Sequence, residues 1–258
     1  MIRSIIAAFS IYSRIPMPSF DMDEEDMKHA ISALPFTGAV IGLLSCAAYR
    51  GLILMDIPLF PLMLILSIIP LIITGGFHLD GFMDVEDALA SCRPKEKKLE
   101  IMKDPHIGAF AVIASAVYGM IWAASLYILL SKPCDGYIYI YMSSFFVIRA
   151  LCGLTCTMFE KAKKEGMLHS ETDAADRGDR LILFVFSVSG LLLFMYFDLM
   201  AGALCSAALI LFTFIYKRRC QKEFGGITGD TAGYYICTGE ALVLVCLSII
   251  KTALMQVL

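Results

Sequence analysis

The sequence predicts an all-α polytopic membrane bundle of about seven transmembrane helices, organised as one domain over residues 1–258, with its polar chemistry gathered at one membrane face. Three observations predict it. The 258 residues are 59% hydrophobic and the mean hydropathy is +0.75, far more apolar side chain than a globular core of this size requires. The apolar residues fall into runs near the roughly 20 residues that a ~30 Å hydrocarbon layer demands. The basic residues, finally, are segregated along the chain. A net charge of −3 offers nucleic acid no electrostatic hold, so no nucleic-acid partner is expected, and the lipid bilayer is the partner the composition calls for.

Residues 1–14 read as an amphipathic or interfacial helix, ended by Pro16 and Pro18, which prevent regular continuation. Its short apolar stretch leads into Tyr12, Ser13 and Arg14 without a small-residue cleavage pattern, so the N-terminus is expected to stay. An acidic loop follows at 21–26. Spans are expected at 34–54, 59–75, 107–130, 137–159, 181–197, 199–216 and 235–254, with Pro70 bending the second. Asp198 alone marks the break between the fifth and sixth, a pattern that a re-entrant pair would share. Three polar stretches interrupt the spans: 91–104, rich in Lys and Glu and expected to be helical, then 160–180, and then the glycine-rich 217–234. The segments before the first span and after the second, fourth and sixth hold 17 of the 21 Lys and Arg, which places them together on the cytoplasmic side of the cell (inner) membrane. Nine cysteines include no Cys-x-x-Cys pair and mostly fall in apolar runs, so they read as small buried hydrophobes rather than metal or disulfide partners.

Chemistry concentrates in two motifs. Asp80, Asp84 and Asp87 stand at i, i+4 and i+7, so on a helix they share one face, while Glu86 points elsewhere. At about 6 Å and an effective dielectric near 20, each like-charged pair repels by roughly 2–3 kcal/mol, so the empty cluster tends to hold a proton and a divalent cation relieves the conflict. Oxygen ligands suit a hard ion such as Mg²⁺, which arrives with waters and a substrate phosphate. The second motif runs Gly225, Gly226, Ile227, Thr228, Gly229, Asp230, Thr231. Glycine amides there could approach an anion, and Asp230 adds a carboxylate, although no Lys follows as in a Walker A loop. Arg149 lies inside the fourth span and needs a partner, either a substrate phosphate or an acid such as Glu240. Lys103, before the third span, can hold phosphate or merely reach the interface. His78 and His106 read as metal ligands, acid–base groups or, preferably, supporting and substrate-binding hydrogen-bond partners.

The run from Gly75 through His78, Asp80 and Gly81 to Asp84 and Asp87, then Leu99 to Asp104 and Ile107 to Phe110, resembles the cobalamin synthase family, the membrane-bound adenosylcobinamide-GDP ribazoletransferases. The early Arg14 to Pro18 and the late Gly225 to Asp230 match that family's other motifs in the same order. Ala88 stands where the family often has Gly, Pro105 where it often has Ser, and 161–180 matches weakly. The resemblance implies a late step of vitamin B12 assembly, in which a hydroxyl of α-ribazole, or of its 5′-phosphate, attacks the phosphate joined to cobinamide and GMP leaves. It further implies Mg²⁺ on Asp80, Asp84 and Asp230, with Asp87 as ligand or general base. On the same resemblance Asp84, Asp87 and His78 are expected to form the catalytic group, and Arg14, Lys103, Arg149, Gly225, Gly226, Thr228 and Thr231 to hold substrate. The expected partners are adenosylcobinamide-GDP and α-ribazole, and a homo-oligomer is left open. Two other readings stand beside it. A CDP-alcohol phosphotransferase lacks support from the residues after Gly81, and an ion-coupled transporter lacks an inverted repeat.

Overall fold

A computed structural model describes residues 2–18, 29–132, 134–162 and 175–255; the acidic loop at 21–26 and most of the polar stretch at 160–180 lie outside the described residues. Among the described residues there are ten helices and no strand: α1 (Ile2–Tyr12), α2 (Ala30–Leu54), α3 (Leu59–Thr74), α4 (Phe77–Ala90), α5 (Lys95–Ile101), α6 (Ala109–Ser131), α7 (Asp135–Met158), α8 (Arg177–Phe197), α9 (Leu199–Phe224) and α10 (Gly229–Met255). Six of these, α2 and α6 to α10, are long and apolar enough to cross a membrane, and α3 with α4 makes a seventh as a broken pair bent by 91°.

The break defines the architecture. α3 runs through Pro70, where a bend was expected, and stops instead at Gly75 and Gly76, whose φ angles of +65° and +82° are conformations that glycine alone adopts without strain. At about 1.5 Å per residue its 16 residues span roughly 24 Å. The chain then turns sideways, so that α4, with its four acidic residues, leaves the span.

Other boundaries also move, because hydropathy marks the edge of the membrane and not the end of the helix. α9 continues past Tyr216 to Phe224, and α10 begins at Gly229 instead of 235, which shrinks the glycine-rich polar stretch to a four-residue turn at 225–228. The polar helix expected over 91–104 covers only Lys95–Ile101. The fifth and sixth spans are two full helices; Asp198 ends one and caps the other, its carboxylate accepting from the Ala201 N–H at 2.8 Å.

α7 is the central post, with α2, α8 and α10 packed around it and most of its side chains buried. Within it Arg149, 1% exposed, donates from Nη1 to Glu240 Oε1 of α10 at 2.6 Å and to the Phe145 carbonyl at 3.0 Å. A charge at this depth is tolerable only when matched, and here it is matched by the Glu240 carboxylate. Of the two partners open to Arg149 in the sequence, the structure therefore supplies Glu240.

The two ends of the bundle have separate contacts. At one end His29 meets Asp179 at 2.9 Å, Lys98 pairs with Glu223, and Ala162 N–H bonds to Ile227 O at 2.9 Å. At the other, Arg50 approaches Asp135 at 3.6 Å and Lys251 donates to the Ile128 and Leu129 carbonyls at 2.8 Å. Replacing Glu240 with Gln leaves Arg149 buried and uncompensated, which should cost about 3–5 kcal/mol of stability. Thermal unfolding in detergent should show that loss and show most of it recovered in the Arg149→Met/Glu240→Met double variant. A double variant as unstable as the single one would contradict the pairing.

Candidate active site

The two motifs meet because α4 and α10 touch backbone to backbone. A Cβ on Gly81 would lie 2.8 Å from the Asp230 carbonyl oxygen and 2.9 Å from its Cα, and one on Gly233 would lie 2.8 Å from the His78 carbonyl oxygen. Any larger residue at either position would push the helices apart. The first turn of α10 is thereby laid across α4 one turn before Asp84. Burial first, and then the charges of Asp80, Asp230 and Asp87, push the Asp84 carboxyl up to about 6. Asp80 is exposed, while Asp84, Asp87 and Asp230 are half-buried.

Neighbouring segments close on this core. Both Asp87 carboxylate oxygens rest over Gly108, where a Cβ would approach them to within 2.0 and 2.1 Å, so the turn into α6 is shaped to that carboxylate. Arg14 donates its backbone N–H to Ile73 O at 2.7 Å and lays its side chain across Gly75. Arg14 and Asp80 line one cavity of about 470 Å³. A cation at its wall and a carboxylate cluster beside it suit a substrate carrying phosphates bridged to a metal.

The glycine-rich turn has a different job from the expected cradle. Gly225, with φ +80°, caps α9, and Gly226, with φ +155°, lets the backbone of Lys161 and Ala162 pass, since a Cβ there would lie 2.5 Å from both. Its amides are spent inside the protein: Gly226 N–H on Cys220 O at 3.2 Å, Ile227 N–H on Glu160 O at 2.9 Å, and Thr228 N–H on Thr231 Oγ1 at 2.8 Å. Thr231 N–H returns to Thr228 Oγ1 at 3.2 Å, and Tyr216 donates to Thr231 Oγ1 at 3.1 Å. Gly225, Gly226, Thr228 and Thr231 thus build the turn that aims Asp230, and none of the 226, 227 or 228 amides is left over for an anion. Arg149 is withdrawn into the bundle. Lys103 is exposed on the loop that leads to Gly108, and His106, also exposed, meets Asp104 at 2.6 Å. His78 is buried and stacked on Tyr12 at 6.3 Å.

Among the described residues no three His, Cys, Asp or Glu side chains converge tightly enough to enclose an ion by themselves. The expected set of Asp80, Asp84, Asp87 and Asp230 is thus not assembled as a closed cage; Mg²⁺, which takes one or two carboxylates and fills its remaining positions with water and substrate phosphate, would use only part of it. The four aspartates supply such donors, and the repulsion carried by Asp84 is what a cation would relieve. Sequence reasoning missed Gly81, Gly108 and Gly233 as packing positions. A glycine inside a helix is unfavourable unless another backbone approaches, so Gly81 and Gly233 did carry a signal. It missed as well the docking of α5 on α9, where Lys95 Nζ donates to Gln221 O at 3.1 Å beside the Lys98–Glu223 pair.

Fold and site define a class: a polytopic all-helical membrane protein with a four-aspartate cluster where two helices cross at one end of the bundle. The family model of cobalamin-5-phosphate synthase matches residues 4–248, and the chain belongs to that family. A relative from Lachnoclostridium phytofermentans, named adenosylcobinamide-GDP ribazoletransferase, is 36% identical over 93% of this chain and 91% of its own. Proteins of the same name from Clostridium perfringens (strain SM101) and Listeria welshimeri are 32% and 35% identical, each over 96% of this chain and 98% of its own. No solved structure matches the chain. Family membership bears out the resemblance and displaces both the CDP-alcohol and the transporter readings.

The raised Asp84 carboxyl makes its charge a cost to the metal-free folded state. The cost is complete above pH 6 and fades as the pH falls toward the ordinary carboxylate value of 3.8. Asp84→Asn should therefore stabilise the metal-free protein at pH 8 by about 1 kcal/mol, a figure already reduced for solvent screening. Unfolding temperatures at pH 8 and pH 5 should show the gain shrinking at the lower pH; a gain independent of pH would point elsewhere. Gly81→Val should separate α4 from α10, and overpacking of this kind costs about 1–3 kcal/mol. The same unfolding assay checks it, a Gly81→Val melting temperature equal to wild type being the contrary result.

Proposed function

We propose that this chain transfers the adenosylcobinamide phosphate moiety of adenosylcobinamide-GDP to α-ribazole or its 5′-phosphate, releasing GMP, with Mg²⁺ held among Asp80, Asp84, Asp87 and Asp230. The reading rests on the family and on one observation above all: two acidic motifs some 140 residues apart in sequence reach the same crossing, with Asp230 against Gly81 and its charge acting on Asp84. In the reaction a hydroxyl oxygen of ribazole forms a bond to the phosphorus next to cobinamide. The bond from that phosphorus to the bridging oxygen breaks, GMP carries away the electron pair, and the hydroxyl proton passes to a base. The bound cation would neutralise the pyrophosphate oxygens as charge moves onto the leaving group.

The chain's own residues divide the remaining work. Asp84 and Asp230 would hold the cation from two helices whose spacing the glycine crossing fixes. Asp87, held over Gly108, serves as a further ligand or as the general base. Arg14 offers a guanidinium to phosphate in the cavity it shares with Asp80, and Lys103 on its exposed loop can close over the nucleotide. Buried His78 acts as a positioning group. With the basic segments on the cytoplasmic side, the site faces the cytoplasm across the cell membrane, where nucleotide substrates are found.

Purified protein given adenosylcobinamide-GDP, α-ribazole and Mg²⁺ should release GMP, and Asp84→Asn should lower the rate at least a thousandfold while the protein remains folded in the membrane. An active Asn variant would remove Asp84 from the site. Orientation has its own test. Cys92 is exposed at the site end and Cys134 at the opposite end. A membrane-impermeant maleimide applied to intact cells should label Cys134 and spare Cys92, and the reverse pattern would invert the topology.

A further inference from the structure

Below the aspartates, between α3, α4, α6, α7 and α10, lies a second cavity of about 290 Å³ that the reaction as described does not use. Thr74 and Leu79 belong to its wall and also to the wall of the cavity that holds Arg14 and Asp80, so the two are adjacent. Its lining is mostly apolar, with Tyr118 and Trp122 as aromatic walls 5.7 Å apart between ring centroids. Leu64 and Leu71 on α3 and Gly119 on α6 form an exposed rim on the lipid-facing side.

Three polar atoms on residues that line this cavity are buried without a hydrogen-bond partner among the described residues: Trp122 Nε1, His78 Nε2 and Arg149 Nε. Indole N–H is a donor only, so Trp122 calls for an acceptor, and an empty or lipid-filled cavity leaves it unsatisfied. An occupant should therefore be aromatic, largely apolar, and equipped with an acceptor nitrogen or oxygen.

We propose that this cavity receives the fused aromatic base of α-ribazole, with Trp122 Nε1–H donating to its unsubstituted ring nitrogen and Tyr118 lying against its face. The proposal rests on the proposed function for the identity of the nucleoside. A benzimidazole base fits each requirement: two fused rings for the aromatic walls, no charge, and one ring nitrogen free to accept. With the base below and the ribose above, the hydroxyl is presented to the carboxylates from the membrane side, while adenosylcobinamide-GDP arrives from the aqueous side past Arg14. A route through the lipid-facing rim also gives the membrane a purpose, since an uncharged base enters an apolar cavity more readily from the bilayer's edge than a nucleotide does.

The chain contains a single tryptophan, Trp122, so its emission reports directly on this cavity. Titration of the wild-type protein in nanodiscs with α-ribazole alone should change that emission saturably. A side chain added at Gly119 meets open space, so Gly119→Leu should fold normally and fill the cavity. It should raise the KM for α-ribazole at least tenfold and leave the KM for adenosylcobinamide-GDP within twofold. Trp122→Phe, which keeps the ring and removes the donor, should raise the same KM severalfold. In nanodiscs made with brominated-chain lipid, α-ribazole should relieve quenching of Trp122. Emission that ignores α-ribazole, an unchanged KM in Gly119→Leu, or quenching that α-ribazole does not relieve would each overturn the proposal while GMP release by the wild type leaves the proposed function standing. Absence of GMP release would instead strike the proposed function itself.

Discussion

The structure depends on the contact between α4 and α10 at Gly81 and Gly233. Four carboxylates do not gather spontaneously; each like pair works against assembly, and the Asp84 carboxyl is raised by its burial first and by the charges of Asp80, Asp230 and Asp87 after that. What holds them together is backbone packing beside the carboxylates, where Gly81 meets the Asp230 backbone and Gly233 meets that of His78. The site is thus strained electrostatically and secured sterically.

The second constraint is the sideways turn at Gly75 and Gly76. A straight continuation of α3 would have carried Asp80, Asp84 and Asp87 away from α10. The 91° break instead places α4 across the end of the bundle, and Arg14 folds over the glycine that makes the break possible. Deeper in the protein the Arg149–Glu240 pair ties α7 to α10, so the helix that supplies Asp230 is fixed at both its surface crossing and its buried centre.

Much of this was readable in the residues. The class, the number of spans and the shared face of Asp80, Asp84 and Asp87 follow from hydropathy and from helical spacing, because both signals are strong and local. The grouping of Asp230 with them was readable only as a shared membrane side. The helix ends were less legible: Lys217 to Phe224 are good helix formers but polar, so hydropathy ended α9 too early, and Asp230 was assigned to a loop when it sits in the first turn of α10. The glycine-rich motif misled for a related reason. Glycines that admit a passing strand of backbone look the same in sequence as glycines that admit a phosphate, and only the pairing of Ala162 and Glu160 with Ile227 separates the two. Arg149 carried two readings of equal standing because its partner lies 91 residues away on another helix.

The central claim is that carboxylates from α4 and α10 share one divalent cation. Binding of Mn²⁺, a spectroscopic substitute for Mg²⁺, can be followed by electron paramagnetic resonance in the wild type, in Asp84→Asn, in Asp230→Asn and in the double variant. The account predicts that each single substitution weakens binding at least tenfold and that the second adds little to the first. Wild-type affinity in Asp230→Asn would contradict it, since the ion would then belong to α4 alone.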